Sequence, residues 1–172
     1  EHMRARGVQC GVRNVMVLSG SEQGIDLIVR AFINPGDCVL VEQSTFFPAL
    51  QTFRSADARI IGVPVDEHGM RTDLLDGYCA RFRPKLIYTV PTFQNPTGTT
   101  LPPERRSELI DVARRYQCLI VEDDAYGDLW YGGESSDAHR PIPLKGMENA
   151  GYVMYLSTFS KTVTSGLRTG WV

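Results

Sequence analysis

The sequence lacks long apolar runs, an excess of one charge and closely spaced cysteines. Its longest uninterrupted apolar run is five residues, 152–156, whereas a membrane-spanning helix requires about 20. The 18 lysines and arginines nearly balance the 20 aspartates and glutamates, and no basic stripe marks a nucleic-acid surface. The opening residues lack the apolar stretch of a secretory signal. We therefore expect neither a membrane nor a nucleic-acid partner for this segment.

The cysteines and histidines indicate no metal site. The four cysteines form no C-x-x-C pair, which argues against a zinc site or a disulfide framework; they are Cys10, Cys38, Cys79 and Cys118. The three histidines have no partner at metal-ligand spacing; they are His2, His68 and His139. We predict free thiols and a cytoplasmic location, where thiols stay reduced.

Short apolar runs alternate with amphipathic stretches along the whole chain. The predicted strands lack a two-residue period, as do strands buried on both faces of a parallel sheet; they cover 14–18, 38–42, 59–63, 86–90, 119–122 and 152–157, with another at 170–172. Apolar spacing predicts helices over 25–32, 46–54, 72–81 and 102–116. The irregular segment 128–151 is predicted to be a lid or a hairpin. The alternation predicts an α/β fold, a three-layer sandwich with a mostly parallel sheet.

Four polar clusters follow predicted strands at their carboxyl ends, where open α/β sheets bind ligands. They are Ser19-Gly-Ser-Glu-Gln, Pro91-Thr-Phe-Gln-Asn-Pro-Thr-Gly, Glu122-Asp-Asp-Ala-Tyr, and Ser157-Thr-Phe-Ser-Lys with Gly166-Leu-Arg. Because carboxyl ends of parallel strands share one edge of the sheet, the clusters predict a single pocket.

The residue types in these clusters suggest the chemistry of a ligand. Gly20 and Ser21 open a helix and suit an anion, and Thr158, Ser160 and Arg168 add hydroxyls and a cation suited to phosphate. Lys161 is the only lysine in the clusters, and we expect a partly desolvated amine that attacks an aldehyde. Asp123 can pair with a protonated ring nitrogen. A phosphate, an aldehyde and a pyridine nitrogen together describe pyridoxal 5′-phosphate.

These motifs resemble the large, cofactor-binding domain of fold-type I pyridoxal-phosphate enzymes, specifically class I/II aminotransferases. The matching segments span residues 19–168 in the order of the family. The resemblance implies that Lys161 forms the Schiff base with the cofactor and that Asp123 pairs with the pyridinium nitrogen. It also implies that Tyr126 and Asn95 contact the ring oxygen, with Asn95 reaching the substrate carboxylate in many members. The remaining residues implied to bind the cofactor are Phe46, stacked on the ring, and Ser21, Glu22, Thr158, Ser160 and Arg168 around the phosphate.

The sequence departs from the family pattern at three of these positions. Glu22 stands where glutamine is usual, and a carboxylate beside a phosphate is unfavourable, so only its backbone N–H is expected to serve. Phe46 replaces a tyrosine and Thr158 a serine. The Asn95–Pro96 bond is predicted to be cis, as a tight turn at a site allows.

Several of these residues also have ordinary structural interpretations. Ser21 fits a plain helix N-cap, Asp123 a helix cap, and Phe46 and Phe47 core packing. Trp130 and Tyr131 fit a substrate entrance, a dimer contact or loop packing. The motifs favour the cofactor roles only because they occur together.

The resemblance implies an aminotransferase that moves an amino group between an amino acid and a 2-oxo acid and works as a homodimer. Residues 1–172 correspond to an incomplete large domain, without the N-terminal segment and the C-terminal small domain of the family. We therefore expect the 172 residues alone to bind cofactor weakly and to transaminate poorly. The amino acid stays open among aromatic, branched-chain, 2-aminoadipate and alanine-type substrates.

Three alternatives remain. The chain also fits an aminotransferase-like effector domain of a GntR/MocR-type transcriptional regulator, although asparagine at position 95 favours the enzyme. A pyridoxal-phosphate-dependent lyase or decarboxylase would share the same lysine and aspartate. A plain nucleotide-binding domain is disfavoured because residues 19–23 form neither G-x-G-x-x-G nor a P-loop.

Overall fold

The computed structural model describes residues 1–132 and 140–172. Its strands are β1 (Val17–Leu18), β2 (Cys38–Glu42), β3 (Arg59–Val63), β4 (Val65–Asp66), β5 (Gly69–Met70), β6 (Leu86–Thr89), β7 (Leu119–Asp123), β8 (Val153–Thr158) and β9 (Gly170–Trp171). Its helices are α1 (His2–Ala5), α2 (Ser21–Phe32), α3 (Phe47–Ser55), α4 (Leu75–Phe82), α5 (Pro103–Tyr116) and α6 (Leu144–Met147).

Seven strands form one sheet in the order β3-β2-β6-β7-β8-β9-β1. All pairs from β3 to β8 are parallel, whereas β9 pairs antiparallel with both β8 and β1. Strand β1 therefore runs in the same direction as β8, and β9 is the one reversed strand of this sheet. The predicted α/β fold with a mostly parallel sheet is confirmed.

Helices cover both faces of the sheet. Leu40, Ile87 and Ile120 pack on one face with α4 and α5, while Val39, Val41 and Tyr88 pack on the other with α2 and α3. Successive strand residues point to opposite faces, so β2 and β6 are apolar at nearly every position because both faces are covered. This arrangement is the predicted three-layer sandwich.

Three details differ from the predicted elements. The first strand is shorter than predicted because Val12–Asn14 form a 3₁₀ turn, although Met16 still exchanges two backbone hydrogen bonds with Val172. The helix predicted over 72–81 begins with a 3₁₀ turn, Thr72–Leu74, before α4. The short hairpin of β4 and β5 was not predicted, since two-residue strands leave no periodicity to detect.

The predictions about cysteines, metals and the irregular segment have different outcomes. All four cysteines are free thiols, and Cys38, Cys79 and Cys118 are buried. Within 1–132 and 140–172, no cluster of three or more metal-ligating side chains occurs and no helix is long and apolar enough to cross a membrane. The segment predicted as a lid or hairpin contains a 3₁₀ turn (Gly127–Leu129) and α6; its residues 133–139, with His139, lie outside the described residues.

Candidate active site

A pocket lies at the carboxyl edge of the parallel strands. It is partly open to solvent and is lined mainly by polar and aromatic side chains. All ten residues predicted to bind a cofactor line it together with Val90 and Ala125; they are Ser21, Glu22, Phe46, Asn95, Asp123, Tyr126, Thr158, Ser160, Lys161 and Arg168. The four polar clusters of the sequence thus form one pocket.

The direction of each strand explains this convergence. Strands β1, β2, β6, β7 and β8 all end at the same edge, so the residues that follow them gather there. Arg168 reaches the same edge for the opposite reason, because it precedes the reversed strand β9. Its backbone has a left-handed conformation, with φ of 45°, at the turn into β9.

Asp123 ends β7 and has one unpartnered oxygen. Its Oδ2 accepts a hydrogen bond from the hydroxyl of Tyr88 at 2.7 Å, whereas Oδ1 is buried and has no partner among residues 1–132 and 140–172. Burial raises the pKa of Asp123 to about 6, with smaller increases from Asp124 and Glu22, while the Tyr88 hydrogen bond and Lys161 act in the opposite direction. An orphaned carboxylate oxygen is costly, and a cationic N–H donor in the pocket would satisfy it.

The neighbouring Asp124 points away from the pocket. It accepts hydrogen bonds from the buried Arg6 guanidinium at 2.8 Å and from the Tyr155 hydroxyl at 2.9 Å. Arg6 also contacts Asp128 at 3.0 Å. The charge of Asp124 is therefore balanced within the protein, and of the two adjacent carboxylates only Asp123 is available to a ligand. The alternative of a helix cap does not apply to Asp123, because it belongs to β7.

Asn95, Tyr126 and Lys161 also line the pocket. The Asn95 side-chain amide donates to the Tyr126 hydroxyl at 3.2 Å, and the Asn95–Pro96 bond is cis, as predicted. The Lys161 ammonium lies 5.7 Å from the centroid of the Tyr126 ring. The sequence analysis predicted that Lys161 is partly desolvated. This prediction is wrong for the described part of the chain, because Lys161 is exposed. It lies on the turn after β8, at the mouth of the pocket.

The start of α2 and the turns around β9 form an anion cup. Ser21 is buried at the first turn of α2, and the hydroxyls of Thr158 and Ser160 lie 2.9 Å apart. Gly20 has φ of +91°, and a Cβ there would meet the Arg168 guanidinium at 2.6 Å. Glycine thus permits both the backbone turn and the close approach of the cation. No side-chain cap is formed at this end of α2, so the alternative of a plain N-cap does not account for Ser21.

The remaining aromatic residues divide between the pocket and the surface. Phe46 lines the pocket and also packs partly against the core, so core packing is confirmed and stacking on a cofactor ring stays a prediction. Phe47 is exposed rather than part of the core. Trp130 stacks on Phe93 at 6.4 Å between centroids, which is loop packing, and Tyr131 is 91% exposed.

Two buried residues behind the pocket were missed by the sequence analysis. Tyr88 orients Asp123, as described above, and Glu42 ends β2 with its carboxylate buried against the loop that carries Asn95. Burial raises the pKa of Glu42 to about 7, against the lowering effect of several hydrogen bonds. The signal for Glu42 was an acidic residue directly after an unbroken apolar run, Cys38-Val-Leu-Val.

Comparison with known proteins agrees with the resemblance to class I/II aminotransferases. Residues 2–172 match the model of the family "Aminotransferase class I and II". Aromatic-amino-acid aminotransferase 1 of Thermococcus litoralis is 42% identical over 165 residues, which cover 92% of this chain and 38% of that protein. The uncharacterized HTH-type transcriptional regulator YisV of Bacillus subtilis is 36% identical over 172 residues, covering 100% of this chain and 34% of the regulator.

Solved structures agree with the curated relatives. The kynurenine aminotransferase of Pyrococcus horikoshii, crystallised with PMP, has a TM-score of 0.86 and 42% identity over 91% of this chain and 39% of its own. The chain thus spans less than two-fifths of the length of each of these three proteins. With a family match over nearly its whole length, the chain belongs to the class I and II aminotransferases.

Proposed function

We propose that residues 1–172 belong to the large domain of a pyridoxal-phosphate-dependent aminotransferase and form an incomplete part of it. This enzyme moves an amino group between an amino acid and a 2-oxo acid. The observation that carries the proposal is the buried Asp123 Oδ1, which has no partner and lines the same pocket as a lysine and an anion cup. Family membership supports the reaction class.

The residues of the pocket fit the cofactor. Ser21, Thr158, Ser160 and Arg168 supply hydroxyls, backbone N–H groups and a cation for its phosphate. The absence of a side chain at Gly20 fits the same role, since a Cβ there would come within 2.6 Å of the Arg168 guanidinium and displace this cation from the anion cup. Asp123 Oδ1 is placed to accept the ring N–H, and Phe46 offers a flat apolar surface to the ring.

When bound, the cofactor supplies an aldehyde that reacts with amines and a ring that takes up electrons from the α-carbon of the substrate. Asp123 keeps the ring nitrogen protonated. Lys161 Nζ would hold the cofactor and, as a free amine, would take the proton from the α-carbon of the amino acid and return it. The exposed position of Lys161 on a turn suits a side chain that must exchange places with the substrate amine.

Asn95 and Tyr126 orient the cofactor through its ring oxygen. Their mutual hydrogen bond of 3.2 Å leaves one amide hydrogen of Asn95 and the hydroxyl hydrogen of Tyr126 for that oxygen and for a substrate carboxylate. We further propose a homodimer in the cytoplasm, with an amino acid and a 2-oxo acid as its substrates.

A second candidate is the effector domain of a transcriptional regulator. It is favoured by the similarity to YisV, which extends over all 172 residues. A DNA-binding segment encoded upstream of Glu1 would support it, and specific DNA binding by a protein without transaminase activity would establish it. A third candidate, a lyase or decarboxylase, is separated by assaying ammonia and carbon dioxide.

The test of the cofactor proposal is covalent trapping. The chain, alone and within any longer protein that contains it, is titrated with pyridoxal phosphate, reduced with borohydride and mapped by peptide mass spectrometry. The sequence has three lysines, Lys85, Lys145 and Lys161, and we expect the adduct on Lys161, lost in K161A and retained in the control K145A. An adduct distributed over all three, or none, would contradict the proposal.

A further inference from the structure

Glu42 is a buried carboxylate surrounded by neutral donors. It is 2% exposed and lies at the end of β2, next to β6. None of the ion pairs found among residues 1–132 and 140–172 involves it. Such a group is expensive to bury unless its hydrogen bonds are satisfied, so its donors indicate what it does.

Both side-chain oxygens of Glu42 accept hydrogen bonds, mostly from the neighbouring strand β6 and the loop that follows it. Oε1 accepts the Thr89 hydroxyl at 2.6 Å, and the Val90 N–H lies 3.3 Å from each oxygen. Oε2 accepts the side-chain amide of Gln94 at 2.9 Å and the Thr45 hydroxyl at 3.4 Å. Glu42 therefore connects β2 to the segment that leads from β6 into the pocket.

Gln94 passes this restraint on to the loop. Its amide nitrogen also donates to the Ser44 carbonyl at 2.7 Å, so both of its hydrogens are used and its orientation is set. Its amide oxygen then accepts the backbone N–H of Thr97 at 2.9 Å and the hydroxyl of the same residue at 2.7 Å. The Gln94 side chain therefore restrains the loop 94–99, and Asn95 is one of the residues of this loop.

We propose that Glu42 is a positioning residue: through Gln94 it fixes the loop that presents the Asn95 amide to the Tyr126 hydroxyl and to the cofactor. The part that concerns the cofactor rests on the proposed function, whereas the part that concerns the loop does not. Glu42 itself does not line the pocket, so its effect is indirect.

The test exchanges the two partners. Gln94→Glu places two carboxylates against each other without a change of volume and also removes the donor to the Ser44 carbonyl. The double variant E42Q/Q94E restores a donor opposite an acceptor between residues 42 and 94, while the hydrogen bond to Ser44 is lost in both variants. Glu148→Gln is the control, because Glu148 is also a buried carboxylate and accepts backbone N–H groups of residues 150–153. It differs from Glu42 in having two cations, Arg114 and Lys145, within 4 Å. It lies before β8, at the opposite edge of the sheet from the pocket.

The readouts are amide hydrogen exchange of residues 94–99 in the cofactor-free chain and the dissociation constant for pyridoxal phosphate. In Q94E we expect the Thr97 amide to exchange about tenfold faster and the dissociation constant to rise about tenfold. In the double variant both should return to within about threefold of the wild type. E148Q should lower the melting temperature but leave both readouts unchanged.

Unchanged exchange in Q94E, or a double variant no better than the single one, would overturn the proposal. If Q94E does not fold, E42Q takes its place, with an expected change of about threefold in both readouts; no change would likewise overturn it. A wild-type chain that does not bind pyridoxal phosphate would refute the proposed function and the cofactor part of this proposal. The exchange data would still decide whether Glu42 fixes the loop.

Discussion

Replacing Asp123 by asparagine should stabilise the cofactor-free chain while weakening cofactor binding. The pKa of Asp123 is raised from 3.8 to about 6, mainly by burial. At about 1.4 kcal/mol per pH unit, the ionised group costs about 3 kcal/mol of folding free energy at neutral pH. The asparagine side chain keeps an acceptor for the Tyr88 hydroxyl but buries an unpaired amide, so we expect a net gain of about 1–3 kcal/mol.

The pH dependence of this gain identifies its cause. Below about pH 4 the carboxyl is protonated in both the folded and the unfolded chain, so the substitution should bring no gain from charge. Between about pH 4 and pH 6 the unfolded chain ionises this carboxyl while the folded chain keeps the proton, so the wild type loses stability as the pH rises. The gain from the substitution should therefore grow over this range and reach its full value above about pH 6. Thermal unfolding at pH 4.5 and pH 8 measures it, with about 2–4 °C expected per kcal/mol.

The neighbouring carboxylate provides the control. Asp124→Asn weakens the buried pair with Arg6 and should cost about 3 kcal/mol, the lower end for breaking such a pair, because Asp128 still contacts Arg6. Pyridoxal-phosphate binding should weaken at least about tenfold in D123N, because the ring nitrogen loses its anionic partner. A D123N chain that is less stable at pH 8, or that gains equally at both pH values, would refute this reasoning.

Three further predictions concern the same pocket. Tyr88→Phe removes a hydrogen bond that lowers the pKa of Asp123. The pH at which pyridoxal-phosphate affinity is half lost should therefore move upward. Tyr155→Phe is the control, because it removes a hydroxyl from Asp124 instead, and it should not move this pH. Gly20→Ala should weaken phosphate-dependent binding about tenfold and lower the free energy of unfolding by about 1–2 kcal/mol. Gly36→Ala is the control, because Gly36 has a similar φ but open space around it. It should show the loss of stability alone in thermal unfolding. Glu22→Gln removes a carboxylate from the anion cup and should tighten pyridoxal-phosphate binding about threefold at low salt and less at high salt. Absorbance titration measures this effect. An affinity equal to that of the wild type at every salt concentration would contradict an electrostatic role.

Much of the fold could be predicted because strand burial leaves a strong local signal. The runs at 38–42 and 59–63 are predicted to the residue. Strand β2 is buried at every position, as a strand covered on both faces must be, whereas the edge strand β3 is exposed at Arg59 and Gly62 and was recognised from its isoleucines and valine alone. Short elements such as β4, β5 and the 3₁₀ turns escaped prediction, because two or three residues carry no period. Their place depends on contacts between segments far apart in the chain.

The sequence by itself determined which residues lie at the pocket, because polar clusters after parallel strands must share one edge of the sheet. Only the tertiary structure decided how they act. It showed that Asp123 faces the pocket while Asp124 is paired with Arg6, a partner 118 residues away. It also revealed the reversed strand that delivers Arg168 and the buried Glu42 that holds the loop of Asn95. Pairing and burial are set by neighbours in space, and no local pattern of residues records them.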